Sequence, residues 1–145
     1  MIVLDAYAVV AILADEPAGE DVAALLEQGD CGISVLNLAE AADVLERSHG
    51  IEATATRDAV DTLVGAGALT AVDVDERRAW RAAELRTRHY RRHDSAVSLA
   101  DCVLLASVRP GLDAVATPDA PVLAIARLEG LEAIPLPDSA GHRPS

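Results

Sequence analysis

Short, wholly apolar runs alternate along the chain with longer stretches of helical periodicity. Residues 2–4 (Ile-Val-Leu) form an apolar run of the kind buried on both faces of a sheet, and residues 6–14 are apolar enough to be a helix packed beneath it, ending before Asp15-Glu16-Pro17. Residues 20–28 form an amphipathic helix closed by Gly29. Residues 31–35 predict a strand and 38–48 a helix ended by His49-Gly50. A further helix over 54–64 stops at Gly65-Ala66-Gly67. Residues 69–74 alternate and are β-branched, which predicts a strand whose polar face suits a sheet edge. Residues 75–92 predict a long helix with its break at His93-Asp94-Ser95, and 99–108 a helix stopped by Arg109-Pro110-Gly111. The spacing then predicts a strand over 113–116, a helix over 122–128 and a last strand over 132–134.

Strands alternating with helices imply an α/β fold: a single α/β/α sandwich around a mainly parallel, roughly five-stranded sheet. At 145 residues this is one domain, expected over 1–136 with a flexible tail over 137–145. In such sheets the active site lies beyond the carboxyl ends of the strands.

Three acids fall at that edge if the sheet is parallel, and a fourth, Asp101, joins them if its helix starts there as well. Asp5 follows the first strand directly, and Glu40 lies in the first turn of the helix after the second. Asp101 lies in the first turn of the helix after the 93–95 break, and Asp119 follows the strand over 113–116. Each has a plain structural role open to it. Asn37-Leu38-Ala39-Glu40 and Ser98-Leu99-Ala100-Asp101 both fit the capping-box spacing, and Asp5 and Asp119 are placed as N-caps. Together, however, partly buried carboxylates repel one another and lose hydration, which costs several kcal/mol unless cations neutralise them. Oxygen donors suit Mg²⁺ or Mn²⁺; zinc would want His or Cys, and none lies at matching spacing.

Composition narrows the chemistry. All twelve basic residues are Arg, so mechanisms that need a lysine, including the P-loop ATPase, the Schiff base and the receiver-domain phosphoswitch, are excluded. A haloacid-dehalogenase pattern would need an Asp where Tyr7 stands. Aromatics are only Tyr7, Trp80 and Tyr90, too few for a base-stacking platform. Cys31 and Cys102 sit in apolar stretches and read as small buried hydrophobes. The start lacks a basic leader and no run is long enough to span a membrane, so a soluble cytoplasmic protein is expected.

The segments Ile2-Val3-Leu4-Asp5-Ala6-Tyr7-Ala8, Ile33-Ser34-Val35-Leu36-Asn37-Leu38-Ala39-Glu40, Ser98-Leu99-Ala100-Asp101-Cys102 and Ala116-Thr117-Pro118-Asp119 resemble a PIN domain. More narrowly, they resemble the VapC-type toxin ribonucleases of bacterial toxin–antitoxin pairs. Order and spacing carry the resemblance over nearly the whole chain, to about residue 136. Tyr7 stands where a small residue is common, and Pro118 and Pro121 flank the last acid. The resemblance implies that Asp5, Glu40, Asp101 and Asp119 hold Mg²⁺ (or Mn²⁺), with Thr117 in support. It implies a metal-dependent endoribonuclease that hydrolyses RNA phosphodiester bonds through Mg²⁺-bound water, leaving a 5′-phosphate and a 3′-hydroxyl. It also implies a cognate antitoxin and self-association to a homodimer. The apolar segments over 6–13 and 39–45 are candidate docking surfaces, read mostly as core. The alternative is a catalytically silent PIN-like protein-binding module whose acids are helix caps.

A formal charge of −12 is unfavourable for a polyanion partner. Seven of the twelve arginines fall between Arg77 and Arg92. On a helical projection Arg77, Arg81, Arg88, Arg91 and Arg92 share a face, with Ala79, Ala83 and Tyr90 opposite. Arg77, Arg81, Arg88 and Arg92 are therefore candidate RNA contacts, or else a solvated face balancing nearby acids. His89 and His93 read as surface or phosphate-contact residues, and His49 as a favourable charge at a helix end.

Overall fold

A computed structural model describes residues Met1–Ser145. Five strands, β1 (Ile2–Leu4), β2 (Cys31–Ser34), β3 (Leu69–Val72), β4 (Ala114–Thr117) and β5 (Glu132–Pro135), form one sheet in the order β3-β2-β1-β4-β5. Every pairing is parallel. The expected α/β/α sandwich is therefore the observed one, and β3 is an edge strand with its two central residues exposed.

Seven helices cover the sheet: α1 (Ala6–Leu13), α2 (Gly19–Gln28), α3 (Val35–His49), α4 (Ala53–Gly65), α5 (Glu76–His89), α6 (Leu99–Ala106) and α7 (Ala120–Leu128). Successive strand residues point to opposite faces, which divides the core in two. Leu4, Ile33, Leu69 and Ala116 pack with α1–α4, whereas Val3 and Val115 pack with α5–α7. The chain winds outward from β1 through β2 to β3, then returns to lay β4 against the other side of β1. The direction of winding reverses at the β1/β4 seam, where doubly wound sheets open a crevice at the carboxyl ends of their strands. No helix is long and apolar enough to cross a membrane.

Local differences from the sequence expectation have identifiable causes. Helix α3 starts at Val35, one turn before the expected residue 38, because the Ser34 hydroxyl accepts the Asn37 amide at 3.0 Å and caps the helix straight off β2. Its end is as expected, with Gly50 left-handed at φ 68°. Helix α5 ends at His89 rather than residue 92: Tyr90 turns extended, and Arg91 and Ser95 exchange backbone hydrogen bonds of 2.9 Å that close a tight turn. Asp113 lies outside β4. Its carboxylate takes the Arg109 guanidinium at 2.7 and 2.8 Å and the Met1 amine at 3.1 Å, which holds it well below the usual carboxylate range. The segment over 137–145, expected to be flexible, makes contacts with the domain: Pro137 is buried, Arg143 reaches Asp21 on α2 at 2.7 Å, and Arg127 on α7 reaches the Ser145 carbonyl at 2.9 Å.

Candidate functional site

Asp5 sits on the seam. Its backbone N–H donates to the Ala116 carbonyl at 3.0 Å, so the β1–β4 ladder runs directly into it. One carboxylate oxygen caps α1 by accepting the Tyr7 amide at 3.4 Å, and the other accepts the Thr117 hydroxyl. Asp5 is only 9% exposed and has no cationic partner among its contacts. Burial, reinforced by the charges of Asp101 and Glu40, pushes its carboxyl up to about 6 against the opposing pull of the Thr117 and Tyr7 donors.

Thr117, the last residue of β4, is fully buried and also accepts the Asp119 amide at 3.1 Å. Asp119 caps α7 through the Val122 amide at 3.0 Å, and Pro121 stands in the first turn, where a missing N–H costs nothing. Pro121 thus suits the start of the helix that Asp119 caps. Burial raises its carboxyl, and Asp101 adds to the rise.

Asp101 closes a true capping box. It accepts the Ser98 amide at 2.6 Å while Ser98 Oγ accepts its own amide at 3.0 Å. Its charge nevertheless acts on all three other acids, raising the carboxyls of Asp5, Glu40 and Asp119. Glu40 lies in the second turn of α3, and no capping box forms at Asn37 because the helix begins earlier. Burial raises Glu40 too, opposed by the Asn37 amide, which donates to it at 3.3 Å.

The four acids are thus helix caps or helix residues and, at the same time, one electrostatic cluster. They do not form a closed cage: no three His, Cys, Asp or Glu side chains come together tightly enough to enclose a metal ion. Glu40, Asp101 and Asp119 each hold a protein donor on one oxygen and leave the other free. An open, all-oxygen donor set fits a hard divalent cation, which keeps much of its water and takes one or two carboxylates directly. Cys102, the neighbour of Asp101, is no competing ligand: burial, with Asp101 adding, pushes its thiol up to about 11.

The chain matches the PIN domain family model over residues 2–140. It belongs to the PIN domain family. No curated protein matches the sequence. Among solved structures, this PIN domain resembles a chain of VapBC2 from Rickettsia felis bound to a promoter DNA fragment, with a TM-score of 0.65 and 17% identity, covering 94% of this chain and 99% of that one. It also resembles a chain of FitAcB from Neisseria gonorrhoeae, with a TM-score of 0.56 and 22% identity, covering 92% and 96%. A chain of a toxin–antitoxin complex from Klebsiella pneumoniae gives a TM-score of 0.60 at 14% identity, covering 83% and 88%. At these identities the likeness is one of fold.

The arginine stripe is not the expected continuous face of this PIN domain. The buried side of α5 is Ala82 and Leu85, while Ala79, Ala83 and Tyr90 are exposed. Arg91 and Arg92 lie beyond the helix. Arg88 pairs with Glu129 at 2.7 Å and His89 meets the same carboxylate at 2.6 Å, holding it below its usual range. Glu129 follows the C-terminal end of α7, a nine-residue helix that Asp119 caps at the other end, so that ion pair lies roughly 15 Å along the helix from Asp119. Arg77, Arg81 and Arg92 enter no ion pair within the chain. Sequence reasoning missed one residue outright as part of the site, the buried Asn37; the signal available was a polar Ser34/Asn37 pair inside an otherwise apolar stretch.

Proposed function

We propose that the chain is a metal-dependent endoribonuclease and the toxin of a VapC-type toxin–antitoxin pair. The observation that carries this reading is Asp5: a buried carboxylate without a protein cation, within electrostatic reach of two further acids, on the seam where this fold type builds its sites. Mg²⁺ or Mn²⁺ held by Asp5, Glu40, Asp101 and Asp119 would relieve that repulsion. When bound, the ion supplies positive charge at a scissile phosphate and a water acidic enough to attack it. The chain's own residues prepare the place. Thr117 fixes Asp5 in its rotamer, the α6 capping box fixes Asp101, and the α7 cap fixes Asp119.

Among the arginines, Arg77, Arg81 and Arg92 are available to substrate phosphates, with Arg88 given to Glu129. The substrate is RNA gripped by its backbone, since the chain has little with which to stack bases. A cognate antitoxin, in keeping with the Klebsiella pneumoniae neighbour solved in a toxin–antitoxin complex, and a homodimeric state complete the proposal.

The capping geometry favours one rival, a silent protein-binding module, because Asp5, Asp101 and Asp119 each secure a helix start. Incubating purified, partner-free chain with structured RNA separates the two. Cleavage in Mg²⁺ or Mn²⁺ that is silenced by EDTA and lost in Asp5→Asn supports the nuclease. RNA left intact under every metal condition supports the module.

A further inference from the structure

Asn37 is buried to 1% exposure, and every polar atom of its side chain is engaged. Its Nδ2 faces two groups that can only accept, Glu40 Oε2 at 3.3 Å and the Ala100 carbonyl at 3.4 Å. Its Oδ1 receives the Ser34 hydroxyl at 2.5 Å, and Ser34 Oγ in turn accepts the Asn37 amide N–H at 3.0 Å. The chemistry of these neighbours fixes which end of the carboxamide is nitrogen.

These bonds join elements that no backbone ladder connects. Ser34 ends β2, Asn37 and Glu40 lie on α3, and Ala100 immediately precedes Asp101 on α6. Glu40 is only half-buried, so water competes for it. The Asn37 amide is the one protein donor to the Glu40 carboxylate. The same nitrogen pins the backbone beside Asp101. One side chain therefore sets the separation of two of the acids.

We propose that Asn37 is a positioning residue for the metal-binding carboxylates: its carboxamide holds Glu40 toward Asp101 and ties α3 to α6 across the crevice. This rests on the reading of the acids as a metal site. A side chain acting in this way is an outer-shell partner of the ion. Its loss should weaken the metal through Glu40, whereas a residue that merely packs would weaken it regardless of Glu40.

Calorimetric titration of Mn²⁺ into the metal-free full chain tests this in a double-mutant cycle with Glu40→Gln. Asn37→Ala removes the whole clamp. Asn37→Ser leaves a small polar group beside Ser34 that cannot reach Glu40, and it carries the test should the alanine variant not fold. The expected result is a loss of Mn²⁺ affinity of about 10-fold in the native background and a clearly smaller loss when Glu40 is already Gln, the remainder being what the tie to Ala100 passes to Asp101. Equal losses in both backgrounds, or no loss in either, would overturn the positioning role while leaving the metal site standing. Should Glu40→Gln alone leave Mn²⁺ affinity unchanged, Glu40 is not part of that site and the proposal falls with it.

Discussion

The Thr117 hydroxyl donates to Asp5 Oδ2 across the seam between β4 and β1, joining the ends of two neighbouring strands at the point where the winding of the sheet reverses. Thr117 also accepts the Asp119 amide, so one buried hydroxyl serves two of the four acids. Replacing it with an isosteric apolar group separates this polar role from packing. Thr117→Val should lower stability at neutral pH by about 1–2 kcal/mol and raise the Asp5 carboxyl still further, since the donor that opposes burial is gone. Carboxyl NMR titration of both proteins measures the shift; an unchanged Asp5 would mean the hydroxyl does not hold its charge.

Stability of the metal-free chain should fall as pH rises through the window from about 4 to about 6. Asp5 titrates at about 6 in the folded chain against an ordinary 3.8, so the folded state binds more protons than the unfolded one across that interval. At full ionisation the penalty from this one group is about 3 kcal/mol. Glu40 and Asp119, raised for the same reason, add to it with the same sign. Asp113 works oppositely, since its carboxyl is held low by Arg109. Its contribution is complete above the ordinary carboxylate range and is lost only as pH falls below it. Denaturant melts between pH 4 and pH 8 should show the decline, and Asp5→Asn, which keeps an acceptor for the Tyr7 amide, should flatten it. A profile that Asp5→Asn leaves unaltered would contradict the assignment.

Asp101 and Ser98 share a capping box but not a chemical role. Asp101→Asn retains an oxygen for the Ser98 amide, so its stability should change by less than about 1 kcal/mol while RNA cleavage falls at least about 100-fold. Ser98→Ala should do the reverse, costing about 1 kcal/mol and leaving most of the cleavage. Paired melting and cleavage assays check both. Equal activity in the two variants would return Asp101 to a purely structural place.

Arg77, Arg81 and Arg92 are unpaired whereas Arg88 is bound to Glu129. Neutralising any one of the first three should weaken RNA binding and reduce the slope of log K against log salt by about 0.7. Arg88→Ala should leave that slope nearly unchanged. Filter binding with an uncleavable RNA at several salt concentrations would expose the opposite pattern if the ion pair opens for substrate.

Much of this arrangement is legible in the linear chain because the acids stand at strand ends and helix starts, which local patterning marks well. Asp5, Asp101 and Asp119 all sit where the sequence places them: Asp5 and Asp119 cap their helices, and Asp101 closes the capping box of α6. Glu40 was harder. Val35 reads as the end of a strand and Leu36 as the link to the helix, yet they are 42% and 39% exposed in the first turn of α3. No loop separates β2 from its helix, so the hydrophobic pattern carries no boundary there, and the cap falls to Ser34 rather than Asn37. The end of α5 depends on a turn closed by Ser95 and on the Arg86 guanidinium reaching the Val97 carbonyl at 3.0 Å, partners beyond the helix itself. Ala79 and Ala83 look inward on a projection, but contact with α6 selects Ala82 and Leu85. The Asn37 clamp is a long-range contact to Ala100 and has no signature in local spacing.

The central claim is that these acids gather to hold a divalent cation. Titrating Mn²⁺ into the metal-free chain, with free ion followed by electron paramagnetic resonance, tests it most directly. The account predicts saturable binding that is abolished when Asp5→Asn and Asp101→Asn are combined in a chain that still folds. Absence of saturable binding, or binding that survives the double substitution, would contradict it.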